Sequence, residues 1–166
     1  GIVTVNSLRL HELLSPEVPG LIYAPNGVDT DFFYPPSEVS YEPSAPRIGW
    51  AGKIRAARNY DTTSEALDRL GSLGFLPRVV AQPKKMRDEK ILNHVEMRAF
   101  YHGIDYYLCG SWHEGTPNPA LEAASCGVPV VTTPVGNMPE LIKHGENGFF
   151  VEPKADSIVS TFERIR

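Results

Sequence analysis

The sequence predicts an α/β fold, a parallel sheet covered by helices on both faces. Three observations carry that expectation. Strand-like apolar runs alternate with helical patterns along most of the chain. Some runs, such as 128-VPVV-131, are apolar without a break, as strands buried on both faces are. The helical patterns are punctuated by residues suited to helix ends, asparagine and proline before them and glycine after.

The elements follow in order. "IVTVNS" reads as a short strand, "SLRLHELL" as a short helix and "GLIYAP" as a second strand. Residues 25–46 are rich in proline and turn formers and read as a hinge or linker. From residue 47 the alternation becomes regular. "RIGWAG" (47–52) is an apolar strand. "ARNYDTTSEALDRLGSLG" is a helix with Ala66, Leu67 and Leu70 on one face, closed by Gly71 or Gly74. "LPRVVAQ" is a strand, "VEMRAFYHG" a helix and "IDYYLCGS" a strand. "PALEAASCG" is a helix, "VPVVTT" a strand and "MPELIKHG" a helix. "NGFFVEP" is a short strand after a turn at Asn147-Gly148, and a last helix begins near Ala155. The division is therefore 1–24, a remnant of a preceding domain; 25–46, a hinge; and 47–166, the main domain. Both ends look cut, as in a fragment of something longer.

Composition narrows the function. The 166 residues suffice for one core, and the 42% hydrophobic and 22% charged content is that of a globular chain. A net charge of −4 argues against a nucleic-acid partner held by a general basic surface. Cys109 and Cys126 sit in apolar contexts and read as buried free thiols of a cytoplasmic protein, with a disulfide between them as the minor option. No apolar run is long enough for a membrane span, and no signal peptide is visible. The histidines show no metal-ligand spacing with the cysteines. Asp29-Thr30-Asp31 could hold a divalent metal, but its proline-rich setting reads as turn chemistry.

In such a sheet ligands bind where strands lead into helices, which here means residues 52–59, 82–97, 110–118 and 133–139. The most constrained of these stretches is 114-EGTPNPALEAASCG-127. Asn118 as N-cap and Pro119 as first helical residue mark a helix start, whose free amides and dipole favour an anion such as phosphate. Glu122 lies in the first turn and Glu114 on the loop before it. Neither carboxylate can bind phosphate, but each can accept hydrogen bonds from sugar hydroxyls. The pair therefore suggests a ligand carrying both phosphate and hydroxyls.

Four motifs occur in sequence: "APNGVDTDFF" (24–33), "IGWAGKIRAARN" (48–59), the two glutamates with seven residues between them, and "GVPVV…VGNMPELI…GENGFFV". Together they resemble the carboxyl-terminal half of a GT-B glycosyltransferase, most closely the retaining family four, over most of residues 21–153. The resemblance implies a Rossmann-like donor-nucleotide-binding domain. It implies a sugar moved from a nucleotide-sugar such as a UDP- or GDP-sugar, without metal or other cofactor. The acceptor, a glycan, lipid or small molecule, would be held by the absent amino-terminal domain. The pathway would be glycan, polysaccharide or glycoconjugate biosynthesis, and peripheral membrane association of the longer enzyme is compatible with it.

By the same resemblance, Lys53 and Arg58 grip the donor diphosphate and stabilise it as it leaves. The family usually has arginine before lysine; here the order is reversed, and Arg55 lies between. Glu122 corresponds to the ribose-binding glutamate and Glu114 to the one beside the transferred sugar. Gly115 and Thr116 would offer amides to that sugar. Pro117 and Pro119 have no N–H, which leaves Asn118, Ala120 and Leu121 as amide donors to the phosphates. Gln82 or the His94–Val95 region would meet the base, on a stretch shorter and more polar than the family's. The loop at Gly136 and Asn137 would approach the donor or serve only as a helix start. Two other readings stand beside the transferase: a non-catalytic GT-B-like scaffold, and half of a GT-B phosphorylase or epimerase.

Overall fold

The computed structural model describes residues 1–39, 41–82 and 92–166. The main domain is a five-stranded, wholly parallel sheet: β3 (Arg47–Lys53), β4 (Leu76–Gln82), β5 (Tyr106–Cys109), β6 (Val130–Thr132) and β7 (Gly148–Phe150), in the order β4-β3-β5-β6-β7. Successive residues of each strand feed opposite faces. Ile48 and Trp50 of β3 pack with Ala66, Leu67 and Leu70 of α2 (Tyr60–Ser72) and with Ile158 and Phe162 of α6 (Ala155–Ile165). On the other face Ala51, Tyr107 and Val130 pack with Tyr101 of α3 (His94–His102), Ala120 and Ala123 of α4 (Asn118–Ser125) and Met138 of α5 (Met138–Leu141). The expected double-sided sheet is thus present, with one apolar layer on each face. An Arg47–Asp105 ion pair of 2.6 Å, reinforced by a 2.7 Å bond from the Arg47 amide, fixes the foot of β3 beside β5.

The connections put the site where the strand order reverses. From β3 the chain turns to β4 through α2 on one face. From β4 it crosses back over β3 to β5 through α3 on the other. The loops leaving β3 and β5 therefore diverge at the carboxyl edge and leave a crevice between them.

Several elements are shorter than the sequence pattern suggests. The helix over 57–74 begins only at Tyr60. Ala56–Arg58 form a separate 3-10 turn, and Asn59 adopts a left-handed conformation with φ 51°. The helix over 138–145 stops at Leu141 because Asn147 intervenes: its side chain accepts from the Lys143 amide at 2.8 Å and donates to the Leu141 carbonyl at 2.9 Å. Gly74, not Gly71, carries the left-handed conformation after α2.

Residues 1–24 form a small parallel unit, β1 (Thr4–Val5), α1 (Leu8–Leu14) and β2 (Ile22–Tyr23). It is latched to α5 through one carboxylate. Glu140 accepts from the Leu8 amide at 2.7 Å and from the Tyr23 hydroxyl.

The segment at 25–46, expected as a hinge, is pinned in its middle. Asp29 makes a turn, its carboxylate accepting from the amides of Asp31 and Phe32 at 3.1 Å each. Phe33 is buried in the core against Tyr101. Arg98 of α3 donates to the Phe32 carbonyl and stacks over the Phe32 and Tyr34 rings. Proline content made this stretch read as a spacer, while the Phe32-Phe33-Tyr34 triplet supplies the apolar anchors that dock it.

Candidate functional site

The crevice at the sheet's carboxyl edge holds a cavity of about 480 Å³. Its walls come from three of the loops singled out above: Gly52, Lys53, Arg55 and Arg58 after β3; Gln82, Leu92, His94 and Met97 around the β4–α3 connection; and Thr116, Asn118, Pro119 and Glu122 at the start of α4. Residues 83–91, the centre of the expected base-binding stretch, lie outside the described residues. Phe33 and Val80 add apolar surface.

The cationic wall is built by backbone strain and a missing side chain. Lys53 ends β3 and is exposed. Arg58 rides the 3-10 turn, not a helix start, and folds back over Gly52. A Cβ at residue 52 would lie 2.9 Å from the guanidinium, so any side chain there would push the arginine out of this position. The next residue, Asn59, holds the strained turn. Its side-chain amide donates to the carbonyls of Gly110 and Pro153 at 3.1 and 3.2 Å, which ties the β3 loop to the ends of β5 and β7. The Ala57 carbonyl also accepts from the Trp112 and His113 amides at 2.9 and 3.2 Å. Two loops distant in sequence are thereby bolted side by side.

The two glutamates do not share one space. Glu122 faces the cavity with the cations. Tyr101, wholly buried beneath it, donates its hydroxyl to Glu122 Oε2 at 2.7 Å. Burial raises the Glu122 carboxyl above its ordinary range, partly offset by the Tyr101 hydrogen bond and the nearby His94. Glu114 faces a second cavity of about 460 Å³, whose walls include Ser7, Arg9 and Leu10 of the amino-terminal unit together with Trp112, His113 and Gly136. Its carboxylate pairs with Arg58 Nε at 3.1 Å and accepts from the Ser111 hydroxyl at 3.1 Å. Arg58 therefore touches both spaces, lining one and pairing with the acid of the other.

The start of α4 differs from the sequence reading. Pro117 is the N-cap and Asn118 already the first helical residue, with no side-chain cap. The amides expected to face phosphate are engaged locally: Asn118 donates to the Thr116 carbonyl at 3.0 Å, Ala120 and Leu121 to the Pro117 carbonyl at 2.8 and 3.3 Å. Two prolines remove N–H groups, and the preceding turn satisfies the next three. Among the described residues the amides of Gly115 and Thr116 have no such bond. Gly115 lies against Asn6 of the amino-terminal unit, and the Gly115 carbonyl packs on Gly136, where an added Cβ would be only 2.2 Å away.

Four contributors escaped the sequence reading. Phe33 and Met97 line the cavity but look like ordinary core residues. Tyr101 carries no motif beyond its place in an apolar helix. For Asn59, the Arg-Asn-Tyr step between loop and helix was the one available signal, since asparagine tolerates the left-handed region better than other non-glycine residues. Cys109 and Cys126 are both buried and unpaired. No helix among the described residues is long and apolar enough to cross a membrane.

Known proteins give this geometry its context. A curated relative, D-inositol 3-phosphate glycosyltransferase from Xylanimonas cellulosilytica, is 26% identical over 159 residues, covering 77% of this chain and 38% of the relative. The chain thus spans well under half the length of that relative. The catalytic domain of starch synthase IV from Arabidopsis thaliana, solved with ADP and acarbose, matches with a TM-score of 0.79 and 16% identity, covering 99% of this chain and 48% of that one. The C-terminal domain of a glycosyl transferase group 1 family protein from Francisella tularensis matches with a TM-score of 0.68 and 24% identity, covering 84% of this chain and 87% of that one. These likenesses identify the fold as the carboxyl-terminal half of a GT-B architecture. A family profile described as glycosyl transferases group 1 matches residues 45–165, nearly three quarters of the sequence, and the chain belongs to that family.

Proposed function

We propose that this chain is the donor-nucleotide-binding part of a retaining, metal-independent glycosyltransferase that uses a nucleoside-diphosphate sugar. The observation that carries the reading is the cavity at the reversal of strand order, with Lys53, Arg55 and Arg58 on one wall and the Glu122 carboxylate on the other. A diphosphate needs the first and a ribose diol the second. The ADP bound in starch synthase IV supports a nucleoside diphosphate as the ligand class. Lys53 and Arg58 would take up the charge that builds on the diphosphate as the sugar leaves. Glu122 would accept from the ribose hydroxyls.

Glu114, with its carboxylate on the far side of Arg58, would act on the sugar, accepting from a hydroxyl or balancing positive charge at the anomeric carbon. The amides of Gly115 and Thr116 would serve the same sugar. At the start of α4, Asn118 would act through its exposed side chain. Ala120 and Leu121 would contribute the helix's positive end more than free N–H groups. His94, Met97 and Phe33 would flank the base. Retention and metal independence rest on the GT-B family-four resemblance. The acceptor would be held by the portion that longer relatives have in addition, so this chain alone is expected to bind nucleotide weakly and to transfer no sugar. Residence in the cytoplasm and a role in polysaccharide or glycoconjugate synthesis are expected on the same footing.

Calorimetry with UDP, GDP and ADP tests the reading. At least one should bind, and Glu122→Ala should weaken it by about 1–3 kcal/mol, the loss of a charged hydrogen-bond acceptor. Equal affinity in the variant removes the ribose assignment. No binding by any of the three favours the scaffold reading. Sugar transfer by the isolated chain would refute the division of labour.

A further inference from the structure

We propose that Tyr101 is the positioning residue of Glu122, fixing which carboxylate oxygen the cavity receives. The ring is wholly buried and held on several sides, with centroids 6.0 Å from Phe33, 5.5 Å from Phe100 and 6.0 Å from Tyr107. Its hydroxyl therefore has little freedom beyond rotation about the C–O bond, and it donates to Glu122 Oε2 at 2.7 Å. Glutamate is otherwise a mobile side chain with three rotatable bonds, and a site needs such a group locked by a neighbour before the ligand arrives. With Oε2 held from below, the carboxylate plane is set and Oε1 is left for the ligand's hydroxyls. The neighbouring Tyr107 does the analogous service for the opposite wall, donating to the Ala51 carbonyl at 3.0 Å, one residue before Gly52. Two buried phenols thus hold the two walls of one cavity from its floor.

The donated bond also favours the ionised acid. Burial pushes the Glu122 carboxyl up, and the Tyr101 hydroxyl opposes that rise. The titratable groups around Glu122 are few. Tyr101 on α3 and Tyr107 on β5 are both raised by burial and stay neutral at working pH. Cys126, at the carboxyl-terminal cap of the same helix, is raised to about 11 by burial and by the glutamate's own charge. His94 on α3 lies close enough to oppose the rise, and Lys53, Arg55 and Arg58 face Glu122 across the cavity.

The test has two arms, of which only the second rests on the proposed nucleotide site. In the first, carboxyl carbon NMR of glutamate-labelled protein follows the Glu122 resonance, assigned by its loss in Glu122→Gln. Tyr101→Phe keeps the ring and removes the donor, so the Glu122 midpoint should rise by about half a pH unit or more. Tyr107→Phe, losing a hydroxyl directed at the backbone, should move it far less. An unmoved midpoint in Tyr101→Phe overturns the proposal. If that variant does not fold, the Tyr101 hydroxyl proton of the wild type is followed over the same range. Titration with the Glu122 midpoint supports the pairing, and a pH-independent resonance overturns it. In the second arm, calorimetry with whichever of UDP, GDP or ADP binds the wild type should give about five- to tenfold weaker binding for Tyr101→Phe at pH 8. A shifted midpoint with unchanged affinity overturns the positioning role. A wild type that binds none of the three overturns the nucleotide reading alone, with the first arm still deciding the Tyr101–Glu122 pairing.

Discussion

Glu114 and Glu122 stand eight positions apart in sequence, yet they live in different surroundings. Glu122 has a neutral partner, a phenol in the core, and opens onto the cavity lined by Lys53, Arg55 and Arg58. Glu114 has a charged partner, Arg58, and opens onto a space walled partly by residues 7–13. The difference teaches that the spacing does not create an acid pair. The loop carries each carboxylate to its own side of one arginine, so the motif is better described as two single acids separated by a shared cation.

The strongest way to break that comparison is to remove what the two regions share. Arg58→Ala strips a proposed phosphate ligand from one cavity and leaves Glu114 partly buried without its cation in the other. Nucleoside-diphosphate affinity should fall by about 2–3 kcal/mol, and chemical denaturation should show stability lower by about 1–3 kcal/mol. Loss of only one of the two would mean that the arginine serves a single region.

A milder change sharpens the contrast. Glu114→Gln should alter nucleoside-diphosphate affinity by less than about 0.6 kcal/mol, because that acid faces a different cavity from the proposed nucleotide site. Transfer in a longer enzyme carrying the same substitution should fall by far more than that. A calorimetric loss matching that of Glu122→Ala would merge the two regions into one.

The smallest effect concerns stability and pH. The folded Glu122 carboxyl is raised above its unfolded value, so the wild type loses stability as pH rises from about 4.3 through the folded midpoint. Glu122→Gln carries no such loss. Its melting temperature should equal or exceed that of the wild type at pH 8, with the advantage shrinking toward pH 4. A variant less stable than wild type at pH 8 would show that the ionised glutamate stabilises its region, as Glu114 is expected to do through its ion pair.

The sequence was most informative where a residue type has one conformational use. Strand alternation, Gly127 after α4, and the boundaries of α1 and α6 were legible to within about two residues, because apolar period and helix punctuation are local. Lys53, Arg58 and Glu122 were legible as residues of one crevice, whereas Glu114, read with them, faces a second cavity. What stayed hidden is non-local. The first free residue of α4 could not be read because two prolines and a turn at Thr116 decide it together. The partner of each glutamate depends on which loops the sheet brings side by side, and no spacing rule reaches from Arg58 to Glu114 or from Tyr101 to Glu122. Phe33 was hidden by its company, apolar anchors inside a proline-rich run.

The docking of Phe33 bears on how such domains can be exchanged. A chimera joined just before β3, at the apparent end of the linker, would import the sheet and its crevice without the Phe33 ring that lines the cavity. A junction placed ahead of Asp29 carries the turn, the aromatic triplet and the pocket as a single transplantable unit. Donor specificity should travel with the graft in the second case and be blurred in the first, so the modular boundary of this half lies upstream of the sheet it is named for.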